Sequence, residues 1–259
     1  MSMTFVGRDK ILEEQPLLEI GRISKSFGGP KVLDAVTFCV RRGEIVGLVG
    51  PNGAGKTTVF NIVCGHLRAD SGDIKLGGRS VLGLPPHSIA RRGLGRTFQN
   101  VRVFGRLTAF DNLLVASETS RWNTWRAMTR GNRNAGLGER VELALESIGI
   151  QDHAQELAES LSYGQKKLLA LAMCLMADRQ VLLLDEPLAG VQPDIASIIL
   201  ARLGDLARAG KAILFIEHDL EAVSSLADRI VVLDGGRKIA EGSPAAIQKD
   251  PLVLEAYLT

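Results

Sequence analysis

The sequence predicts an α/β fold with a largely parallel sheet, interrupted by a block of helices. Three observations carry this. Short apolar runs closed by glycine alternate with helical spacings over most of the 259 residues, the pattern of a layered α/β fold. Strand signals stop near Val101 and return at Val181. Two apolar runs near the start, 17–24 and 32–41, flank the turn Gly28-Gly29-Pro30 and read as an antiparallel pair.

The elements follow in order. Residues 44–49 form a buried strand ending in glycine, and 56–64 have helical spacing. Ser71-Gly72 turns into a strand over about 73–76, and Arg96-Thr97-Phe98-Gln99 closes a further one. From about 101 to 177 helical patterns take over, with a loop-like stretch at 130–138; this block is the candidate insertion. Strands resume at 181–184, 212–216 and 230–233, with helices over 194–209 and 220–227 between them.

Composition narrows the function classes. Hydrophobic residues at 46% and charged residues at 23% describe an ordinary globular chain, one large domain or a core with an insertion. With 31 Lys and Arg against 29 Asp and Glu, no global positive field argues for nucleic acid, so any polyanion site is local. The longest apolar run, 168–177, is about half of a membrane span, and residues 1–15 mix charges where a secretory signal would be apolar. The expectation is a cytosolic chain with its three cysteines, Cys39, Cys64 and Cys174, reduced and buried.

The most informative residues are Gly50-Pro51-Asn52-Gly53-Ala54-Gly55-Lys56-Thr57-Thr58, which fit the phosphate-loop pattern of Gly, four residues, Gly, Lys and Ser or Thr. A strand precedes and a helix follows, so backbone N–H groups converge on phosphates at a positive helix end. Lys56 would reach the β- and γ-phosphates, and Thr57 would offer its hydroxyl to Mg2+. A bare helix-capping turn is the plain alternative. A dinucleotide site fails on glycine spacing and lacks an acid about 20 residues on. The loop needs a carboxylate at the end of a neighbouring strand. The run Val181-Leu182-Leu183-Leu184-Asp185-Glu186 offers Asp185 for the metal and Glu186 to orient and deprotonate water.

Three further features stand out. Ser162 with Gln165 three residues on is a capping-box arrangement opening a helix. Lys166 and Lys167 then fall in its first turn, where the helix dipole disfavours cations; an anion docking there would relieve the conflict. Gln99 ends a strand at the start of the insertion, placed to touch metal or water, although a surface Gln is the plain alternative. His218, in Ile216-Glu217-His218-Asp219, stands at a carboxyl strand end, where α/β sheets put ligand contacts. His66, His87 and His153 read as surface or loop residues. The segment 121–133, with both tryptophans and four arginines, reads as a solvated loop or a contact with headgroups or a membrane partner.

Taken together, these motifs resemble, in order and spacing, the nucleotide-binding subunit of an ATP-binding-cassette transporter. The resemblance covers nearly the whole chain. It implies a P-loop NTPase (RecA-like) core at about 17–99 and 179–245, with an antiparallel β subdomain and a helical subdomain at about 100–178. A cassette domain at 17–245 is then followed by a helical tail at 246–259. It implies head-to-tail pairing, with the signature Ser162-Tyr163-Gly164-Gln165 of one cassette covering the γ-phosphate of the other. Phe27 would stack on adenine, Ala189-Gly190-Val191-Gln192 would cross the dimer interface, and Thr57, Gln99 and Asp185 would hold Mg2+. Tyr163 stands where the family pattern has glycine, and Gln192 where it has Asp or Asn.

Gly83-Leu84-Pro85-Pro86-His87, the stretch 96–102, Tyr163, the stretch 216–219 and the ending Ala256-Tyr257-Leu258 look like the larger ATPase subunit of branched-chain amino acid uptake systems, whose relatives import urea, amides and aromatic acids. Implied partners are a second, different cassette, with a homodimer as the alternative, two membrane permease subunits and an external solute-binding protein; nucleic acid is not among them. The implied location is the cytoplasmic side of the inner membrane. A non-transport cassette acting on ribosomes or DNA fits less well, because the chain has neither a long coiled-coil insertion nor a second cassette. A nucleotide kinase would leave 161–165 and His218 without purpose.

Overall fold

A computed structural model describes residues 15–97, 102–118, 135–218 and 220–258. Two sheets organise it. The first is antiparallel, in the order β2-β1-β4-β5, built from β1 (Leu18–Ser26), β2 (Lys31–Val40), β4 (Ser71–Leu76) and β5 (Arg79–Ser80). The second has six strands in the order β10-β9-β3-β8-β7-β6: β3 (Ile45–Val49), β6 (Leu94–Arg96), β7 (Val181–Asp185), β8 (Ala212–Ile216), β9 (Arg229–Asp234) and β10 (Arg237–Gly242). All its neighbours are parallel except the edge pair β9 and β10.

The central strands β3, β7 and β8 are buried at every position. Alternate residues must therefore face two different apolar layers, which is why each reads as a continuous apolar run. Ile45, Val49, Leu182, Leu184, Ile213 and Phe215 face one core, shared with Leu113, Val141, Leu145 and Leu168 of the helical block. Val46, Leu48, Leu183, Leu214 and Ile216 face the other, shared with Val59 and Phe60 and with Leu18, Ile20 and Val36 of the antiparallel sheet. The helices run in order: α1 (Lys56–Val63), α2 (Pro86–Arg91), α3 (Ala109–Glu118), α4 (Ala135–Ser147), α5 (Tyr163–Met176), α6 (Pro193–Arg208), α7 (Leu220–Leu226), α8 (Pro244–Ile247) and α9 (Pro251–Leu258).

Several expectations need adjustment. The stretch 130–138 is helical from Ala135 onward. Only Cys64 is buried, its thiol pushed up to about 11 by desolvation; Cys39 and Cys174 are half-buried. Gln99 and the segment 121–133 lie outside the described residues. No described helix is long and apolar enough to cross a membrane.

Candidate functional site

The parallel register sets the site. Leu48 pairs with Ile216, and Ile216 pairs with Asp185, so the ends of β3, β8 and β7 lie at one level. The loop 50–55 leaves the first, Glu217 and His218 leave the second, and Asp185 and Glu186 close the third. The acid strand is not the immediate neighbour of the loop strand that the sequence led one to expect. β8 lies between them and brings His218 into the middle.

Gly50 has φ +146, and a β-carbon there would stand 2.0 Å from the Leu233 carbonyl oxygen; only glycine lets the chain leave β3 in this direction. Gly55, at φ +100, caps α1 from the left-handed region. Lys56 is 6% exposed. Its Nζ donates to the carbonyls of Gly50 (2.6 Å) and Pro51 (2.9 Å). Burial lowers its pKa, and the Glu186 carboxylate opposes that shift, so the two charges feel each other across the site. Thr57 is exposed and Thr58 half-buried in the first turn of α1. Phe27 sits apart, 61% exposed in the turn joining β1 and β2, with Lys25 Nζ 5.4 Å from its ring centre.

Glu186 has φ +49, a left-handed conformation that is costly for a side-chain-bearing residue and clusters at functional sites. Its N–H donates to the Ile216 carbonyl (3.0 Å), and His218 Nε2 donates to its Oε1 (2.7 Å). Asp185 is paired with Arg96 at 3.1 Å, both side chains 9% exposed. Arg96 also donates to Asn61 Oδ1 (2.8 Å) and lies over the Phe60 ring. The Asp185 N–H reaches Thr97 Oγ1 at 3.4 Å.

Ser162 caps α5 with both halves of the capping box present: Gln165 N–H donates to Ser162 Oγ, and Ser162 N–H to Gln165 Oε1. Gly164 packs on Ile195, where a β-carbon would stand 3.2 Å from Cγ1. The neighbouring lysine charges are met within the chain: Lys166 Nζ donates to the Glu159 carbonyl (2.8 Å), and Lys167 Nζ to the carbonyl of Glu186 (2.8 Å).

Arg96, Lys167 and Glu217 are part of this architecture; sequence reasoning gave Arg96 and Glu217 no role there and paired Lys167 with a docking anion, whereas backbone carbonyls of the chain meet it. Glu217 Oε1 accepts from the Leu188 N–H (2.7 Å), and burial raises its pKa. All three lie inside motifs that stand out in the sequence. For Mg2+ the donor set fits: a hydroxyl at Thr57 and a carboxylate at Asp185 are hard oxygens. Among the described residues no three His, Cys, Asp or Glu side chains are gathered.

A phosphate loop on a parallel sheet, with a carboxylate–imidazole pair on the same edge and an inserted helical block, defines a nucleotide-hydrolysing cassette. Residues 33–189 match the ABC transporter family, and residues 237–258 match the family described as branched-chain amino acid ATP-binding cassette transporter. The chain is 38% identical over 255 residues to the high-affinity branched-chain amino acid transport ATP-binding protein BraF of Pseudomonas aeruginosa, covering 94% of this chain and 98% of that protein. It is 39% identical over 252 residues to LivG of Salmonella typhimurium, a protein of the same description, with the same coverage. Its fold superposes on the ADP conformation of MJ1267, an ATP-binding cassette of an ABC transporter, with TM-score 0.83 and 30% identity, covering 95% of this chain and 99% of that one. The chain belongs to the ABC transporter family of ATP-binding subunits. It binds ATP and hydrolyses it to drive transport.

Proposed function

We propose that this chain powers uptake of branched-chain amino acids or a related small solute, such as urea, an amide or an aromatic acid. It would act as one of two paired cassettes on the cytoplasmic side of the inner membrane. The curated relatives and the family match at 237–258 support the solute class. The partners are a second cassette, two permease subunits and an external solute-binding protein. A cleft of about 330 Å3 between the sheet edge and the helical block, lined by Arg96, Arg102, Phe104, Met173 and Cys174, is the surface we assign to a permease segment. Motion of the cassette pair would pass to that segment through the helical subdomain at about 100–178, set on the core at about 17–99 and 179–245 ahead of the tail at 246–259.

Catalysis is placement and charge stabilisation. Lys56 exchanges its loop carbonyls for phosphate oxygens, and the N–H groups of residues 50–58, Pro51 having none to give, converge on the same oxygens. Phe27 stacks on adenine. Thr57 and Asp185 would hold Mg2+, as would the Gln99 that the sequence motif assigns to it, while Asp185 keeps its bond to Arg96. The ion, when bound, neutralises charge on the phosphates. Glu186 accepts the proton of the attacking water, held in its rotamer by His218, which also steadies the γ-phosphate. Ser162 and Gly164, with Tyr163 and Gln165 in the same tip, seal the nucleotide of the facing cassette.

One observation carries this reading: the 2.7 Å bond between Glu186 and His218 at the sheet edge that bears the phosphate loop. Glu186→Gln tests it. Turnover should fall by about 10^2 to 10^4, while calorimetry shows ATP uptake unchanged and gel filtration shows an ATP-dependent pair. Full turnover in this variant would remove Glu186 from its role.

A further inference from the structure

Lys167 opens the second turn of α5, yet it is 8% exposed. Its ammonium has three protons to donate, and three carbonyls of a single turn face it. Nζ lies 2.8 Å from the Glu186 oxygen, 2.5 Å from that of Ala189 and 3.4 Å from that of Pro187. The turn it holds begins at the left-handed Glu186 and is pinned from the other side by Glu217 on the Leu188 N–H. Glu217 and Glu186 both favour the ammonium charge, which offsets part of its burial.

Tyr163 completes the arrangement. Its ring centre lies 5.4 Å from Lys167 Nζ, a cation–π distance, and its Cε1 lies 3.4 Å from where a β-carbon on Gly190 would stand.

We propose that Lys167, roofed by Tyr163, is a positioning residue for hydrolysis that ties the signature tip to the turn bearing Glu186, so that the two move as one body. The proposal rests on the head-to-tail pairing above. In that pair the tip touches the facing cassette's nucleotide and Glu186 works on this chain's own. A nucleotide arriving opposite fixes residues 162–165, the tip fixes Lys167, and Lys167 fixes the backbone from which Glu186 projects. Hydrolysis at one site then senses occupancy of the other. The aromatic at 163, where the family pattern has glycine, shields the three bonds from water and adds its own attraction to the ammonium.

The test uses the full chain with its transporter partners. Lys167→Met keeps the buried stem and deletes the donors; Lys167→Arg keeps donors. The methionine variant should lose about a hundredfold in kcat with ATP Kd within about twofold of the parent, and the arginine variant should recover to within about tenfold. Tyr163→Gly should lower the Hill coefficient for ATP toward one, and Tyr163→Phe should preserve it. Should Lys167→Met fail to fold, the tyrosine pair and hydrogen exchange at residues 186–190 decide the matter. Non-hydrolysable ATP should protect that turn in the parent and less so in Tyr163→Gly; equal protection overturns the tether. A methionine variant with kcat within about threefold of the parent, or with kcat and ATP affinity lost together, also overturns it. Normal turnover in Glu186→Gln, run alongside, would instead sink the assignment of Glu186.

Discussion

Asp185 and Arg96 show how a single residue can hold two duties. An ion pair with both side chains 9% exposed is costly to break from one side, because the remaining charge stays buried without its partner. Arg96→Met should therefore destabilise the chain by about 3 kcal/mol in urea unfolding, and Asp185→Asn in the same chain should return much of that loss. Equal loss in the double variant would show that Arg96 acts through Asn61 and Phe60 alone. Glu217 makes the opposite case. Burial raises its pKa, so the folded chain holds this proton to higher pH than the unfolded chain does. Its contribution to stability therefore falls as pH rises above the ordinary carboxylate range. Glu217→Gln keeps an oxygen for the Leu188 N–H and removes that decline. Its stability relative to the parent should grow as pH rises through and above the ordinary carboxylate range, read from urea midpoints; a difference independent of pH would contradict it.

At the scale of elements, α5 and α6 contrast. Ser162 and Gln165 cap α5 reciprocally, whereas α6 begins at Pro193 behind Gln192, which makes no side-chain cap bond. Aspartate is a good N-cap and also complements the positive helix end. Gln192→Asp should add about 1 kcal/mol, seen as a rise of roughly 2 °C in the melting midpoint of a chain this size; no change would show that another group already satisfies the end of α6. The same contrast explains what could be read from sequence. The capping box, the phosphate loop and the strands at 45–49, 181–185 and 212–216 are written in adjacent residues, through spacing or through apolar runs buried on both faces. β10 is an edge strand, exposed or half-buried throughout, whose main-chain partner is β9, and α2 is six residues opening on a proline, so neither has a clear period to detect. Arg96 meets Asp185 from 89 residues away and Lys167 meets Glu186 from 19. The first partnership follows from the pairing of β6 with β7 and the second from the packing of α5 against the sheet, and local pattern cannot supply either.

The whole molecule behaves as one body because its larger core has no seam. Leu113, Val141 and Leu145 of the helical block share a continuous apolar cluster with Ile213 and Phe215 of the sheet, and the other face of that sheet is continuous with the antiparallel layer. Unfolding the helical block alone would expose the sheet face beneath it, so near- and far-ultraviolet circular dichroism should melt in a single coincident transition. A ligand held at the carboxyl edge of the shared sheet then stabilises everything at once. With ATP and Mg2+ at 100 times Kd, linkage contributes about 2.7 kcal/mol. Unfolding entropy near 2.1 cal/mol/K per residue gives the 259-residue chain roughly 0.5 kcal/mol per kelvin, so the midpoint should rise by about 5 °C. Glu186→Gln should keep the whole shift, because its carboxylate acts on water and leaves the phosphates to the loop. Lys56→Ala should lose most of it at the same nucleotide concentration, whatever that substitution does to the midpoint without nucleotide. A shift surviving in Lys56→Ala would place the bound triphosphate away from the loop that begins at Gly50.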